Sequence, residues 1–286
     1  GTKLPFTPGH EITGTVVALG ENVKDIKIGD SGIVFPWIGC GKCEACLEDN
    51  ETLCEMPKYL GARLNGGYSD HIIVPDSKYI VSYGDMDPAQ AAPYACSGLT
   101  AFSALKKIPT TSKDDWIIII GAGGVGINGI LLSPAIHNAK ILVIDNDPEK
   151  RKKAIEAGAN EAFSPDDEAE IRNKIGIGAS AAIDFVGRPE TTDLGLSLVK
   201  KGGMVIVVGL YGGSLKLSLP LVPMRSMTLR GSYVGELREL KELVNIITSG
   251  KIKLIPVKKQ GLETANQAMS DLRSGKVNGR IVLIPN

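Results

Sequence analysis

Four of the five cysteines of this chain lie in one stretch, Cys40-x2-Cys43-x2-Cys46-x7-Cys54. Each x2 step lets a tight turn bring two thiolates onto one ion at about 2.3 Å, and the longer step returns the chain to close a tetrahedron. Four thiolates leave no open coordination position, so a zinc held by them braces a loop and performs no chemistry. Disulfides and ordinary buried thiols are the competing explanations, but tight CxxC repeats outside a small secreted scaffold favour the metal. The fifth cysteine, Cys96, stands apart in Tyr94-Ala95-Cys96-Ser97-Gly98 and calls for its own explanation.

A second chemistry is carried by Gly121-Ala122-Gly123-Gly124-Val125-Gly126, a GxGxxG string between an apolar run and a helix-like segment. In that setting the first glycine makes the tight turn, and the second lets a pyrophosphate approach the backbone. The third permits close helix–strand packing, and the helix N-terminus, with Gly124 and Val125 in its first turn, attracts the phosphates. Asp145 ends the next apolar run, Ile141–Ile144. A carboxylate there accepts hydrogen bonds from the adenosine ribose and repels a 2′-phosphate, which points to NAD over NADP. The bland alternatives are a packing turn for the glycines and a helix cap before Pro148 for Asp145.

The elements that must position these groups fall into two textures. Residues 1 to about 95 read as short strands, such as 14–19, 30–35 and 68–74, separated by turns rich in glycine and proline. Asp87 and Pro88 then open a helix as cap and first turn. Beyond that, predominantly apolar runs at 116–120, 141–144, 181–185 and 204–208 alternate with helical segments at 124–137, 148–156 and 190–200, the pattern of a doubly wound parallel sheet. Pro134 predicts a kink or early end in the first of those helices. Helices at 237–249 and 262–272 and a strand at 279–284 complete the chain. His71, on a predicted strand, and His137, near a helix end, read as structural or exposed.

The 286 residues carry 32 basic and 32 acidic side chains, so no net charge points to nucleic acid or a lipid surface. With 43% apolar residues the chain can bury a sizeable core, more readily as two domains than one. The uncharged stretch 116–139 is long enough to span a bilayer, but its glycine turn would leave backbone groups unpaired in lipid. The cysteine pattern suits a reducing cytoplasm better than an oxidising compartment.

Gly9-His10-Glu11-x2-Gly14-x5-Gly20, the four-cysteine lobe, the segment 92–100 and the glycine turn occur in the order found in the zinc-containing alcohol dehydrogenases of the medium-chain dehydrogenase/reductase superfamily, which the whole chain resembles. The resemblance implies an α/β fold: a Rossmann domain at 98–234, and a partial, mostly β GroES-like catalytic domain at 1–97 that includes the zinc lobe 39–55 and resumes at 235–286. It implies His10 and Cys96 as ligands of a catalytic zinc, with Glu11 as the nearby carboxylate that tunes it. Trp37 matches a wall of the substrate pocket and Thr100 a residue beside the nicotinamide. Lys150 and Val208 join the cofactor set, and Arg280 matches a side chain reaching the pyrophosphate. Core packing for Trp37 and a solvated helix face for Lys150 are the competing readings.

The family takes a further catalytic zinc ligand, a cysteine, from a segment well upstream of the position of His10, and only nine residues precede His10 here. The expectation is therefore an N-terminally shortened chain with an incomplete catalytic zinc site. In the family, zinc lowers the pKa of a bound alcohol and hydride passes to the nicotinamide in a cleft between the domains, giving an aldehyde or ketone. The competing functions are a polyol or threonine-type zinc dehydrogenase, and a catalytically silent NAD-binding relic. The strands expected at 214–219 and 227–231 resemble the edge through which relatives form homodimers or homotetramers.

Overall fold

A computed structural model describes residues 4–277 and 279–285. The chain divides into two compact units, Gly1–Leu99 with Val234–Asn286, and Thr100–Tyr233.

In the first unit, β1 (Ile12–Thr15), β2 (Ser31–Val34) and β3 (Ile80–Val81) form an antiparallel sheet in sequential order. Ile12 pairs with Val34 and Ile33 with Val81, and Ile12, Ile33 and Val34 are buried. Pro88–Ala91 is a short helix whose cap, Asp87, accepts from the Gln90 N–H. The C-terminal return adds a helix, Leu237–Thr248, that buries Leu240, Leu243, Val244 and Ile247 on one face. It ends in a parallel pair, Val257–Gly261 and Arg280–Ile284.

Two expectations fail in this unit. Residues 68–74 form no strand: Ile73 is 88% exposed and His71 is exposed, so the alternating pattern has neither a partner ladder nor a core to face. The first strand stops at Thr15, leaving Val17 exposed, although Val16 still exchanges backbone hydrogen bonds with Gly29 and Asp30.

The second unit carries a six-stranded, fully parallel sheet in the order β6 (Glu161–Phe163), β5 (Lys140–Ile144), β4 (Trp116–Ile120), β7 (Ala179–Asp184), β8 (Val199–Val207), β9 (Thr228–Gly231). All five residues of β4 are buried, as a strand covered on both faces requires. Helix α1 (Ser97–Lys106) leads into this unit, and α2 (Gly124–Leu132), α3 (Pro148–Ala157), α4 (Glu168–Ile175) and α5 (Pro189–Leu198) follow the strands. Pro134 has the expected effect: α2 stops at Leu132 and a 3₁₀ turn, Ser133–Ala135, replaces it. His137 is structural. It is buried, with Nε2 2.9 Å from the Leu105 carbonyl oxygen.

Strand β6 and α4 had no clear sequence signal, because β6 is a three-residue, half-buried edge and α4 buries only Ile171 and Ile175. The strand expected at 214–219 is absent. Strand β9 pairs directly with β8, so this segment finds no ladder and instead packs Leu215 and Leu217 against the core. Strand order reverses between β4 and β7, and in such sheets ligands bind beyond the C-terminal strand ends at that point.

The opposite, N-terminal ends of the central strands are tied by Asp115. Its Oδ1 accepts from Lys200 Nζ at 2.8 Å and from the Ser180 hydroxyl, and its Oδ2 accepts from the Ser112 N–H at 2.8 Å. The Lys200 bond and those hydrogen bonds hold the carboxyl well below the usual carboxylate range. A depressed folded-state pKa gives stability that is complete above the unfolded value of about 3.9 and drains as pH falls below it. Unfolding midpoints in urea should therefore drop more between pH 7 and pH 3 for the parent than for Asp115→Asn; parallel pH curves would count against the network.

Candidate functional site

The four lobe cysteines are free thiols, and their Sγ atoms lie within 4.8 Å of one another. Cys43 and Cys46 are 3.4 Å apart, Cys43 and Cys54 3.8 Å, and Cys40 and Cys46 4.0 Å. A tetrahedron of thiolates about 2.3 Å from zinc has edges of about 3.8 Å, so the cluster is already close to coordination geometry. Those separations are far beyond the S–S bond of about 2.05 Å that a disulfide needs. Hydrogen bonds from the Lys42 and Cys43 backbone pull the Cys40 thiol down to about 6, while burial pushes Cys46 up to about 12. Thiols so unlike in proton affinity become four thiolates together only around a cation, so the donor set fits zinc. No other group of three or more His, Cys, Asp or Glu side chains with this clustering occurs among the described residues.

Carboxylates brace this lobe. Buried Glu51 accepts from the Gly39 N–H and the Tyr79 hydroxyl, both at 2.7 Å, and from Lys78 Nζ at 3.0 Å. A side chain on Gly39 would put its Cβ 2.4 Å from Cys46 Sγ, so only glycine allows the chain to pass the cluster. Glu236 accepts from the Thr52 hydroxyl and Arg238 donates to Asn50 at 3.1 Å, tying the lobe to the start of Leu237–Thr248. Neither Glu51 nor Glu236 was legible in sequence, since each matters only through partners distant along the chain.

His10 lies just ahead of β1. Its ring sits 5.1 Å from the Trp37 ring, and the Trp37 indole N–H donates to the Ala95 carbonyl oxygen at 3.1 Å. Glu11 accepts from the Ser97 N–H at 2.8 Å. The turn carrying Cys96 is thus held on its two flanking residues by the neighbours of His10. Arg280, at the start of the last strand, donates to the other oxygen of Glu11. Burial, aided by Arg280 and opposed by Glu11, holds the His10 imidazole below its ordinary pKa, so the neutral, lone-pair form dominates near pH 7. A cavity of about 570 Å³ opens beside His10, Glu11 and Arg280, so these polar groups border open space. Trp37 also packs edge-on against Tyr59 at 5.3 Å.

In the second unit, Gly121 has φ +93°, and a Cβ there would meet Val186 Cγ2 at 2.7 Å. A Cβ on Gly126 would lie 1.8 Å from the Gly121 oxygen, whereas nothing lies within 4 Å of one built on Gly123. Turn, open cradle and close packing fall on the three positions that a pyrophosphate-binding turn assigns them, so the residues fit a dinucleotide. Gly124 and Val125 are half-buried in the first turn of α2.

The buried Asp145 carboxylate accepts from the Ala122 N–H at 2.8 Å and the Asp147 N–H at 2.9 Å. Asp147, not Asp145, caps α3. The Arg151 Nη1 donates to the carbonyl oxygens of Asp145 and Asn146, at 2.8 and 3.0 Å, a contact without a sequence signal. Lys150 is half-buried, Thr100 is buried in α1, and the Val208 N–H donates to the Asp184 carbonyl oxygen at 2.9 Å.

Comparison with known proteins bears on the whole chain. A zinc-binding dehydrogenase family model matches residues 124–249, and an alcohol dehydrogenase GroES-like domain model matches residues 1–84. An NAD-dependent alcohol dehydrogenase from Sulfolobus acidocaldarius is 39% identical over 284 residues, covering 98% of this chain and 82% of the relative. A D-arabinose 1-dehydrogenase (NADP(+)) from Saccharolobus solfataricus is 35% identical over 292 residues, covering 100% and 83%. The crystal structure of the alcohol dehydrogenase from Aeropyrum pernix superposes with a TM-score of 0.92 at 31% identity, covering 99% of this chain and 84% of that one. With near-complete coverage at these identities, and with both family models matching, this chain belongs to the zinc-containing alcohol dehydrogenase family.

Proposed function

We propose that this chain oxidises a primary or secondary alcohol to an aldehyde or ketone with NAD, and that His10 and Cys96 are ligands of its catalytic zinc. The observation that carries the reading is the double hold on the Cys96 turn, by Trp37 on Ala95 and by Glu11 on Ser97, from residues that flank or touch His10. When bound, zinc supplies Lewis-acid polarisation of the alcohol oxygen and NAD accepts the hydride.

The protein's own residues supply position. Glu11, held by both Arg280 and the Ser97 N–H, fixes the separation of the imidazole and the thiol. Trp37, fully committed to Tyr59 and Ala95, offers a rigid wall for the substrate carbon chain. In this reading Thr100 lies against the nicotinamide, Val208 lines the same half of the cofactor, and Lys150 stands near the adenosine ribose. Arg280 reaches the pyrophosphate with the donors that Glu11 leaves free. Asp145 receives the ribose hydroxyls and rejects a 2′-phosphate.

The relative that acts on D-arabinose supports a second reading, a polyol or sugar substrate. A panel of simple alcohols, polyols and aldoses at saturating NAD separates the two. The free thiols agree with a reducing cytoplasm. No helix among the described residues is long and apolar enough to cross a membrane.

The edge strand β9 is exposed at all four positions, Leu229 among them, and exposed Leu219 and Met224 precede it in the chain, which favours pairing with a second copy. Light scattering should find a dimer or tetramer for the parent, and a shift to monomer for Leu219→Lys combined with Leu229→Lys. A monomeric parent would discard this assembly.

Metal analysis should find two zincs per chain, falling to one for Cys96→Ser and for Cys46→Ser separately. A parent holding one zinc that Cys96→Ser leaves in place would instead mark a silent NAD-binding protein. Asp145→Gly should weaken NAD and admit NADP, each by roughly tenfold or about 1.4 kcal/mol, read as KM for the two cofactors. An unchanged preference would reject the ribose role.

A further inference from the structure

We infer that Asp184 is a positioning residue for the nicotinamide half of the cofactor site, through the turns that leave β7 and β8. The inference rests on the cofactor reading above.

Asp184 ends β7 and has no exposed surface. An isolated carboxylate in such a place is costly unless its lone pairs are met. Here Oδ1 accepts from the N–H groups of Val186 and Gly187, both at 2.9 Å. Oδ2 accepts from the hydroxyls of Thr191 and Thr192, at 2.8 and 2.7 Å, in the first turn of α5. The partners are two amides and two hydroxyls, so the carboxylate acts as a four-way acceptor. One side chain thereby shapes the turn after β7 and anchors the helix that follows it.

The same residue reaches the next strand through its backbone. Its carbonyl oxygen accepts from the N–H groups of Val208 and Gly209, at 2.9 and 3.0 Å, where the chain leaves β8. The two turns then run in contact. A Cβ on Gly187 would lie 1.9 Å from the Gly209 oxygen, the Tyr211 N–H donates to Val186 at 3.3 Å, and the Gly212 N–H donates to Gly187 at 3.2 Å. The Arg188 guanidinium stacks 3.5 Å from the Tyr211 ring centre. On the other side, the Val186 side chain abuts Gly121 of the pyrophosphate turn.

Asp184 is therefore the common tie of the strand ends just past the reversal in strand order. In a doubly wound sheet that side takes the second mononucleotide of a dinucleotide. The bond from the Val208 N–H continues the β7–β8 ladder and belongs to any residue at this place; the side-chain tie to Val186, Gly187, Thr191 and Thr192 is what singles out Asp184. Asp115, with its own network at the opposite end of the sheet, is the built-in contrast.

The test measures NADH dissociation constants by fluorescence, with thermal melting and zinc content, for the parent, Asp184→Asn, Thr192→Val and Asp115→Asn. Asparagine keeps one oxygen for the two amides but turns a donor toward the hydroxyls, so the fold survives with the tie distorted. The expected result is NADH affinity weakened roughly tenfold in Asp184→Asn and a few-fold in Thr192→Val. KM for NAD should rise while KM for the alcohol and zinc content hold. Asp115→Asn should lower the melting point without changing NADH affinity. Folded Asp184→Asn and Thr192→Val proteins that bind NADH as the parent does would overturn the Asp184 role alone. A parent that binds no NADH would remove the cofactor reading, and the Asp184 role with it.

Discussion

A carboxylate withdrawn from water has to be met by donors on its lone pairs, and this protein places such groups where chain segments distant in sequence must come together. Glu11 joins the segment of His10 to the turn of Cys96 and to the last strand. Glu51 joins the cysteine lobe to the segment ahead of β3. Asp145 joins the glycine turn to the end of β5, and Asp184 joins two strand exits to a helix start. Each is an all-or-none device. A buried acceptor that loses a donor bears the desolvation penalty of that group, so the surrounding loops have one low-energy arrangement instead of several.

The two units obtain order from different sources, for reasons of sheet size. The second has six strands with continuous apolar runs, and residues such as Ile118, Leu142 and Val205 show no exposure. That core tolerates irregular loops at its strand ends, including consecutive left-handed glycines at Gly212 and Gly213. The first unit has a three-stranded sheet whose last strand is two residues long, and a separate parallel pair. Such small sheets have little independent stability. Polar tethers and a four-thiolate metal lobe carry what burial does not supply.

This difference explains what could be read from the sequence. The parallel strands, the glycine turn, Asp145 and the four-cysteine cluster depend on local spacing, which a sequence displays directly. Even the proline break in α2 followed from one residue. By contrast, residues 68–74 and 214–219 show strand-like alternation but have no ladder partner, and partners are not a local property. The braces fail to show for the same reason. Glu51 in Asn50-Glu51-Thr52 looks like any surface acid until Tyr79 and Gly39 are brought against it.

The apolar run that ends β7 shows how such a brace can still leave a trace. Strand residues Ala181, Ala182 and Ile183 have no exposed surface, and in an alternating parallel architecture the next residue is expected to be equally apolar. An aspartate there contradicts the local pattern and adds a desolvation cost that the fold alone does not require. Sequences that specify one structure agree across levels, and their exceptions gather where function has imposed a second demand. Asp145, closing β5 after four buried residues, breaks the pattern in the same way at the same end of the sheet. In the cofactor reading proposed above, both carboxylates stand where apolar strands run out into turns that hold the dinucleotide.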